Sequence, residues 1–123
     1  FIHGGGFSLG SGDDPYIRSE ALNKKEVILV SFNYRLGVFG FLPLPEALQE
    51  DPNAENLGLL DQRLAISWVI NNIHHFGGDK EKITLFGESA GAMSILWHLA
   101  ADESKVPEEE KILKFISGAI IQS

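Results

Sequence analysis

The sequence has no cysteine among its 123 residues, which excludes structural disulfides and thiolate metal ligands within this stretch and leaves the compartment open. Basic residues are scarce, 10 Lys and Arg against 17 Asp and Glu for a formal charge of −7. They form no patch, so no nucleic-acid partner is expected, because polyanion binders gather cations on one face. No apolar stretch approaches the roughly 18–20 residues of a membrane-spanning helix, so no transmembrane segment is expected in these residues. The histidines and carboxylates lack a ligand pattern such as H-E-x-x-H, so neither a metal nor a cofactor is called for. Nucleotide binding is not expected either, since no Gly-Lys-Ser/Thr follows the glycine segment and Gly10-x-Gly12 finds Pro15 where a third glycine would be required. Repeats and low-complexity segments are absent. What remains, 44% hydrophobic and 22% charged residues, suits a globular unit with a core.

The glycines are clustered rather than periodic. Phe1-Ile2 reads as the tail of a strand entering His3-Gly4-Gly5-Gly6-Phe7, followed by a loop and a short helix over about Tyr16 to Asn23. Val27 to Phe32 is a β-branched and apolar run, the pattern of a strand buried on both faces. A turn-rich segment, Asn33 to Phe41, precedes an acidic stretch with Glu46, Glu50, Asp51 and Glu55, read as a solvated insertion loop. Leu60, Leu64, Trp68 and Ile73 fall at helical spacings and predict an amphipathic helix stopped by Gly77-Gly78. Ile83 to Phe86 is a short strand running into Gly87-Glu88-Ser89-Ala90-Gly91. A helix with Met93, Leu96, Trp97 and Ala100 on its apolar face follows. A short helix around Glu109 to Phe115 then leads to a final strand-like run. The alternation is that of a parallel α/β sheet, with central parallel strands and flanking helices. Trp68 and Trp97 read as packing residues, and Phe7 either borders a pocket or joins the core.

Gly87-Glu88-Ser89-Ala90-Gly91 fits the G-x-S-x-G nucleophile elbow in its required context, strand before and helix after. So tight a turn strains the serine backbone and demands small residues two positions away on either side, which Gly87 and Gly91 supply. The amides after Ser89, beginning with Ala90, then lie at a helix N-terminus, where negative charge is stabilised. Ester hydrolysis passes through a tetrahedral oxyanion that needs such donors, each commonly worth about 3 kcal/mol of barrier. The His3-Gly4-Gly5-Gly6 backbone offers more of them, with no side chains in the way.

The segments HGGGF, NYRLGVFGF, NLGLLDQRLA, FGGD and FGESAG, in this order, resemble the type-B carboxylesterase and lipase family, which includes the cholinesterases. The resemblance covers essentially the whole chain. It implies an α/β-hydrolase fold, here a partial one, and hydrolysis of a small-molecule or lipid ester through a serine acyl-enzyme. It further implies Ser89 as nucleophile, Gly5, Gly6 and Ala90 as the oxyanion hole, and Glu88 as an electrostatic support near the active site. Arg35 and Asp61 match family positions that form a structural ion pair.

The family's acid and histidine lie far downstream of the serine. None of the local histidines replaces them: His98 is on the same helix roughly 13 Å from the elbow at about 1.5 Å per residue, His74 and His75 sit near a helix end, and His3 shapes the glycine loop. The expectation is that residues 1–123 are the central segment of one hydrolase domain, truncated at both ends and without the triad acid and histidine. The rival expectation is a silent adhesion or scaffold relative whose downstream histidine or acid is missing. Loops over 42–56 and 101–113 are similar in length to those of fungal lipase-type members and do not separate esterase from lipase.

Overall fold

The computed structural model describes residues 1–17, 20–52 and 54–123. Its helices are α1 (Glu20–Asn23), α2 (Gly37–Phe41), α3 (Pro45–Glu50), α4 (Leu57–Asn72) and α5 (Ala90–Ala100); its strands are β1 (Ile83–Glu88) and β2 (Ile116–Gln122). The strands pair in parallel, with Leu85 opposite Ala119 and Glu88 opposite Gln122. Helix α5 is the start of the crossover between them, the arrangement a parallel pair requires. Ile2 adds a parallel bridge to Gly87 on the other side of β1, its amide donating to the Phe86 carbonyl at 3.0 Å. The element order and parallel pairing are those of an α/β sheet.

The core is assembled from Ile2, Tyr34, Ile66, Ile70, Leu85, Ile95 and Ile112, all buried. Helix α4 continues into a 3-10 turn, Ile73–Phe76, and stops at Gly77 with φ 82°, as the glycine pair predicts. The face it buries is different from the expected one. Gly58, Gln62, Ile66 and Ile70 point inward, whereas Leu60, Leu64 and Trp68 are exposed; of the expected stripe only Ile73 is buried. Helix α5 likewise buries Ala90, Gly91, Ala92, Ser94, Ile95 and His98 and leaves Met93, Leu96 and Trp97 largely exposed. At Gly91 the helix lies so close over the Ile2 segment that no side chain fits. Trp68 and Trp97, expected as packing residues, are 50% and 45% exposed. Trp97 does stack on Phe7, at 5.5 Å between ring centroids, and Phe7 also meets Phe41 edge-on.

Other expectations are corrected in detail. Val27 to Phe32 forms no ladder among the described residues, and Val27 and Ile28 are more than two-fifths exposed. Among the described residues a hydrogen bond from the Phe1 nitrogen to the Val30 carbonyl ties this run to the Ile2 segment. The apolar pattern is that of a strand, but a strand exists only where its backbone finds a partner. The Tyr16 to Asn23 helix resolves into a 3-10 turn, Pro15–Ile17, and α1, with Arg18 and Ser19 outside the described residues. The acidic stretch is exposed as expected but carries α3, started by Pro45 at its first turn. The helix expected around Glu109 to Phe115 is a pair of 3-10 turns, Glu108–Glu110 and Leu113–Phe115.

Arg35 and Asp61 pair as expected. Arg35 Nε and its terminal nitrogen donate to the two carboxylate oxygens at 2.7 and 2.8 Å, and the Arg35 backbone amide adds a third bond at 3.0 Å. These bonds hold the Asp61 carboxyl below the usual range, the Arg35 guanidinium being the first cause. The side chains are 48% and 26% exposed, so the heavy penalty of a buried orphan charge does not apply. A double-mutant cycle on Arg35→Ala and Asp61→Ala is expected to return a coupling of about 1 kcal/mol or less by urea unfolding, as for exposed pairs; a coupling above about 3 kcal/mol would contradict this placement.

Candidate active site

The elbow is built where β1 ends against the Ile2 segment. Ser89 sits at φ 52°, ψ −118°, a conformation that costs a non-glycine residue of order 1–3 kcal/mol. It is held from both sides. The Ser89 amide donates to the Gln122 carbonyl of β2 at 2.8 Å, and the Ser89 carbonyl accepts from the Met93 amide at 3.0 Å, opening α5. A Cβ on Gly91 would overlap the Ile2 carbonyl oxygen, and one on Gly87 would lie 2.7 Å from the Gly91 carbonyl carbon. The small residues of the motif are therefore required by the approach of strand and helix as well as by the turn. Ser89 and Glu88 are exposed, and Ala90 is buried.

The glycine loop runs past this serine. A Cβ on Gly4 would lie 3.2 Å from Ser89 Cβ and 2.6 Å from Glu88 Oε2, so the first glycine makes room for the elbow itself. Gly5 and Gly6 follow at φ 112° and 60°, then Phe7 at φ 60°. Their left-handed backbone folds the loop back, the Gly5 carbonyl accepting from the amides of Ser8 and Leu9 at 3.1 Å each. Neither the Gly5 nor the Gly6 amide donates a hydrogen bond among the described residues, and Gly6 is exposed with open space beside it. Ala90 opens α5, where the first-turn amides have no intrahelical acceptor. The structure thus brings Gly4, Gly5, Gly6, Glu88, Ser89 and Ala90 to one end of the sheet.

The histidines fall elsewhere. His3 is buried, its Nδ1 2.7 Å from the Gly4 carbonyl and its ring stacked on Tyr34 at 4.4 Å, while the Tyr34 hydroxyl donates to the His3 carbonyl at 2.8 Å. Its Nε2 has no partner among the described residues. Gly10, at φ 108°, is packed onto the same ring, and a Cβ there would lie 2.5 Å from Nδ1. His74 and His75 are exposed, their rings tilted at 40° with centroids 3.9 Å apart. His98 is buried at the far end of α5, with Nε2 2.9 Å from Gln62 Oε1. Among the described residues no group of His, Asp and Glu is placed to hold a metal ion. A shallow concavity lies away from Ser89, between α4 and the end of α5, lined by Glu55, Leu59, Arg63, Trp97 and His98.

Two polar clusters went unread in the sequence. Gln62 is fully buried and donates to Ser94 Oγ at 3.1 Å; the signal was the four-residue spacing of Ala90, Ser94 and His98. Arg63 pairs with Glu103, whose carboxylate also accepts from the amides of Ile112 and Leu113 at 3.0 and 3.2 Å, tying α4 to the segment before β2. That pair is separated too widely in the chain for any spacing to announce it.

The family profile described as "Carboxylesterase family" matches residues 1–123. The chain belongs to the carboxylesterase family. Its α/β fold is part of the α/β-hydrolase fold of solved carboxylesterases. It is 48% identical to the para-nitrobenzyl esterase of Bacillus subtilis over 120 residues, 97% of this chain and 24% of that protein. It is 48% identical to the acetylcholinesterase of Bungarus fasciatus over 115 residues, 93% of this chain and 18% of that protein. Among solved structures, a thermophilic PNB esterase superposes with a TM-score of 0.81 at 45% identity, covering 98% of this chain and 23% of that one. The juvenile hormone esterase of Manduca sexta, with OTFP covalently attached, superposes with a TM-score of 0.83 at 38% identity, covering 100% of this chain and 21% of that one. This carboxylesterase-family chain therefore spans about a fifth to a quarter of the length of such relatives.

Two expectations follow from the geometry. Gly91→Ala drives a methyl into the Ile2 carbonyl and is expected to destabilise the protein by at least about 2 kcal/mol in urea unfolding; a smaller loss would mean that helix and strand are not in contact there. Burial, with a smaller contribution from the Arg63 charge, lowers the pKa of His98 from 6.5 to about 4. Above pH 6.5 neither folded nor unfolded protein holds this proton. Between pH 6.5 and 4 the unfolded state takes it first, so stability falls as pH falls. The expected loss from pH 7.5 to 5 is roughly 2 kcal/mol, present in the parent protein and absent from His98→Asn when the two unfolding curves are compared.

Proposed function

We propose that residues 1–123 form the central segment of a serine ester hydrolase domain and contribute its nucleophile and oxyanion hole. Ser89 Oγ attacks the carbonyl carbon of a small-molecule or lipid ester. The carbonyl oxygen, taking the negative charge, is received by the amides of Gly5, Gly6 and Ala90. Collapse of the tetrahedral intermediate expels the alcohol and leaves the acyl group on Ser89, and water then releases it. Glu88, beside the serine and against Gly4, contributes negative charge that favours a cationic partner. The observation that carries this reading is the strained Ser89 with two free glycine amides in the loop packed against it. Strain of this kind persists only where surrounding structure enforces it, and active sites are where it concentrates.

The general base and its orienting acid come from outside these residues. His98 is engaged by Gln62, His3 is enclosed in the glycine loop, and His74 and His75 face solvent. Without a base the serine stays protonated and weakly nucleophilic. The ester-hydrolysing relatives support the reaction class, and the covalent adduct carried by the Manduca sexta enzyme supports a covalent route in the family. In the full-length protein, Ser89→Ala is expected to lower kcat on p-nitrophenyl esters by roughly 10⁴-fold or more and to abolish labelling by a fluorophosphonate. The isolated 123-residue chain is expected to show neither turnover nor rapid labelling; prompt phosphonylation of Ser89 in it would show that a base lies within these residues.

A further inference from the structure

Helix α5 carries a polar structure that the hydrolytic steps do not use. Ala90, Ser94 and His98 succeed one another at four-residue intervals and share one helix face. That face is buried, with Ser94 0% and His98 4% exposed, and Gln62 of α4, also 0% exposed, lies against it. The groups connect in series. His98 Nε2 is 2.9 Å from Gln62 Oε1, Gln62 Nε2 donates to Ser94 Oγ at 3.1 Å, and Ser94 Oγ donates to the Ala90 carbonyl at 2.9 Å.

The direction of the series follows from its donors. The serine has one proton, and the Ala90 carbonyl can only accept, so Ser94 must receive its other bond from the amide nitrogen of Gln62. That turns Gln62 Oε1 toward His98, and an oxygen there requires the hydrogen to be on His98 Nε2. Burial keeps the ring neutral and able to hold this single tautomer. The opposite amide orientation would draw the serine proton to Gln62 and remove it from Ala90. Three hydrogen bonds therefore run the same way and end on one peptide group, that of Ala90 and Gly91, in the first turn after Ser89. Bonds aligned in series polarise one another and restrict the group on which they end.

We propose that Gln62, Ser94 and His98 are positioning residues that hold the first turn of the elbow helix in register with the oxyanion. The proposal rests on the reading of Ser89 as nucleophile. Apolar side chains of the same size would fill this space without the desolvation cost of three polar groups. What they would not do is act on the Ala90 carbonyl.

The test uses the full-length protein, p-nitrophenyl acetate as substrate and a fluorophosphonate to count active sites. Ser94→Ala and Gln62→Met are expected to lower kcat at least about tenfold with KM within about twofold, and Ser94→Thr, which keeps the hydroxyl, to recover most of the loss. Gln62→Glu keeps the shape but has no N–H for Ser94 and draws the serine proton away from Ala90. It is expected to behave like Ser94→Ala and serves if Gln62→Met fails to fold. A purely structural network would lower the melting temperature and leave kcat per titrated site unchanged in Ser94→Ala and Gln62→Glu, and that result would overturn the proposal. If Ser89→Ala retains hydrolysis, the nucleophile assignment fails first. If Ser89→Ala is inactive while the Ser94 and Gln62 variants turn over at the parent rate, only the positioning role falls.

Discussion

The approach of α5 to the Ile2 segment is the constraint on which the rest of the structure depends. A helix that starts immediately after a strand must fold back across that strand's neighbour, and here the neighbour's carbonyl oxygen lies against Gly91. Nothing larger than hydrogen fits on that Cα. Once the contact is made, Ser89 is left at the apex with a positive φ, its amide taken by β2 and its carbonyl by α5. The same contact sends the chain after Ile2 past the serine, so the glycine loop arrives beside Ser89 without a separate device to bring it there. Nucleophile, helix terminus and loop amides are consequences of one close packing.

The packed faces of the two helices are not their most apolar ones. The side of α5 that meets the sheet is made of alanine, glycine, serine, one isoleucine and one histidine, and its larger apolar residues point away. Hydrophobic periodicity would choose the opposite face. On the packed face Gly91 meets the Ile2 segment, and Ser94 and His98 are buried with their hydrogen bonds made. In α4 the buried face carries Gln62, which is bonded to Ser94 and to His98. A polar group with all its bonds made is at home in a core, and it is the missing bond rather than the polarity that costs stability.

Much of this architecture was legible in the residues. The strand into the elbow, the helix out of it, the parallel α/β alternation, the glycine stop after α4 and the Arg35–Asp61 pair were all read from local pattern or family resemblance, and β1, α5, Gly77 and the bonded pair stand where they were expected. What could not be read depended on partners distant in the chain. Val27 to Phe32 has the composition of a strand, yet a ladder is a property of two backbones and no composition supplies the second. The packed faces of α4 and α5 carry Gln62, Ser94 and His98, which a pattern of apolar positions passes over. The Gln62–Ser94–His98 series joins residues on two helices, and only the half lying within α5 had a spacing to notice.

The nesting of Gly10 on the His3 imidazole changes how the glycine loop should be understood. The loop's shape is shared between the run of glycines beside the serine and a ring whose edge leaves no volume for a side chain at position 10. A side chain at position 10 would meet the Gly4 carbonyl oxygen at 2.5 Å as well as the ring, and at a positive φ. The imidazole and the backbone it faces therefore close the loop from the inside, and a designer who wishes to reshape it must move Gly4 and His3 together before anything but glycine fits at position 10.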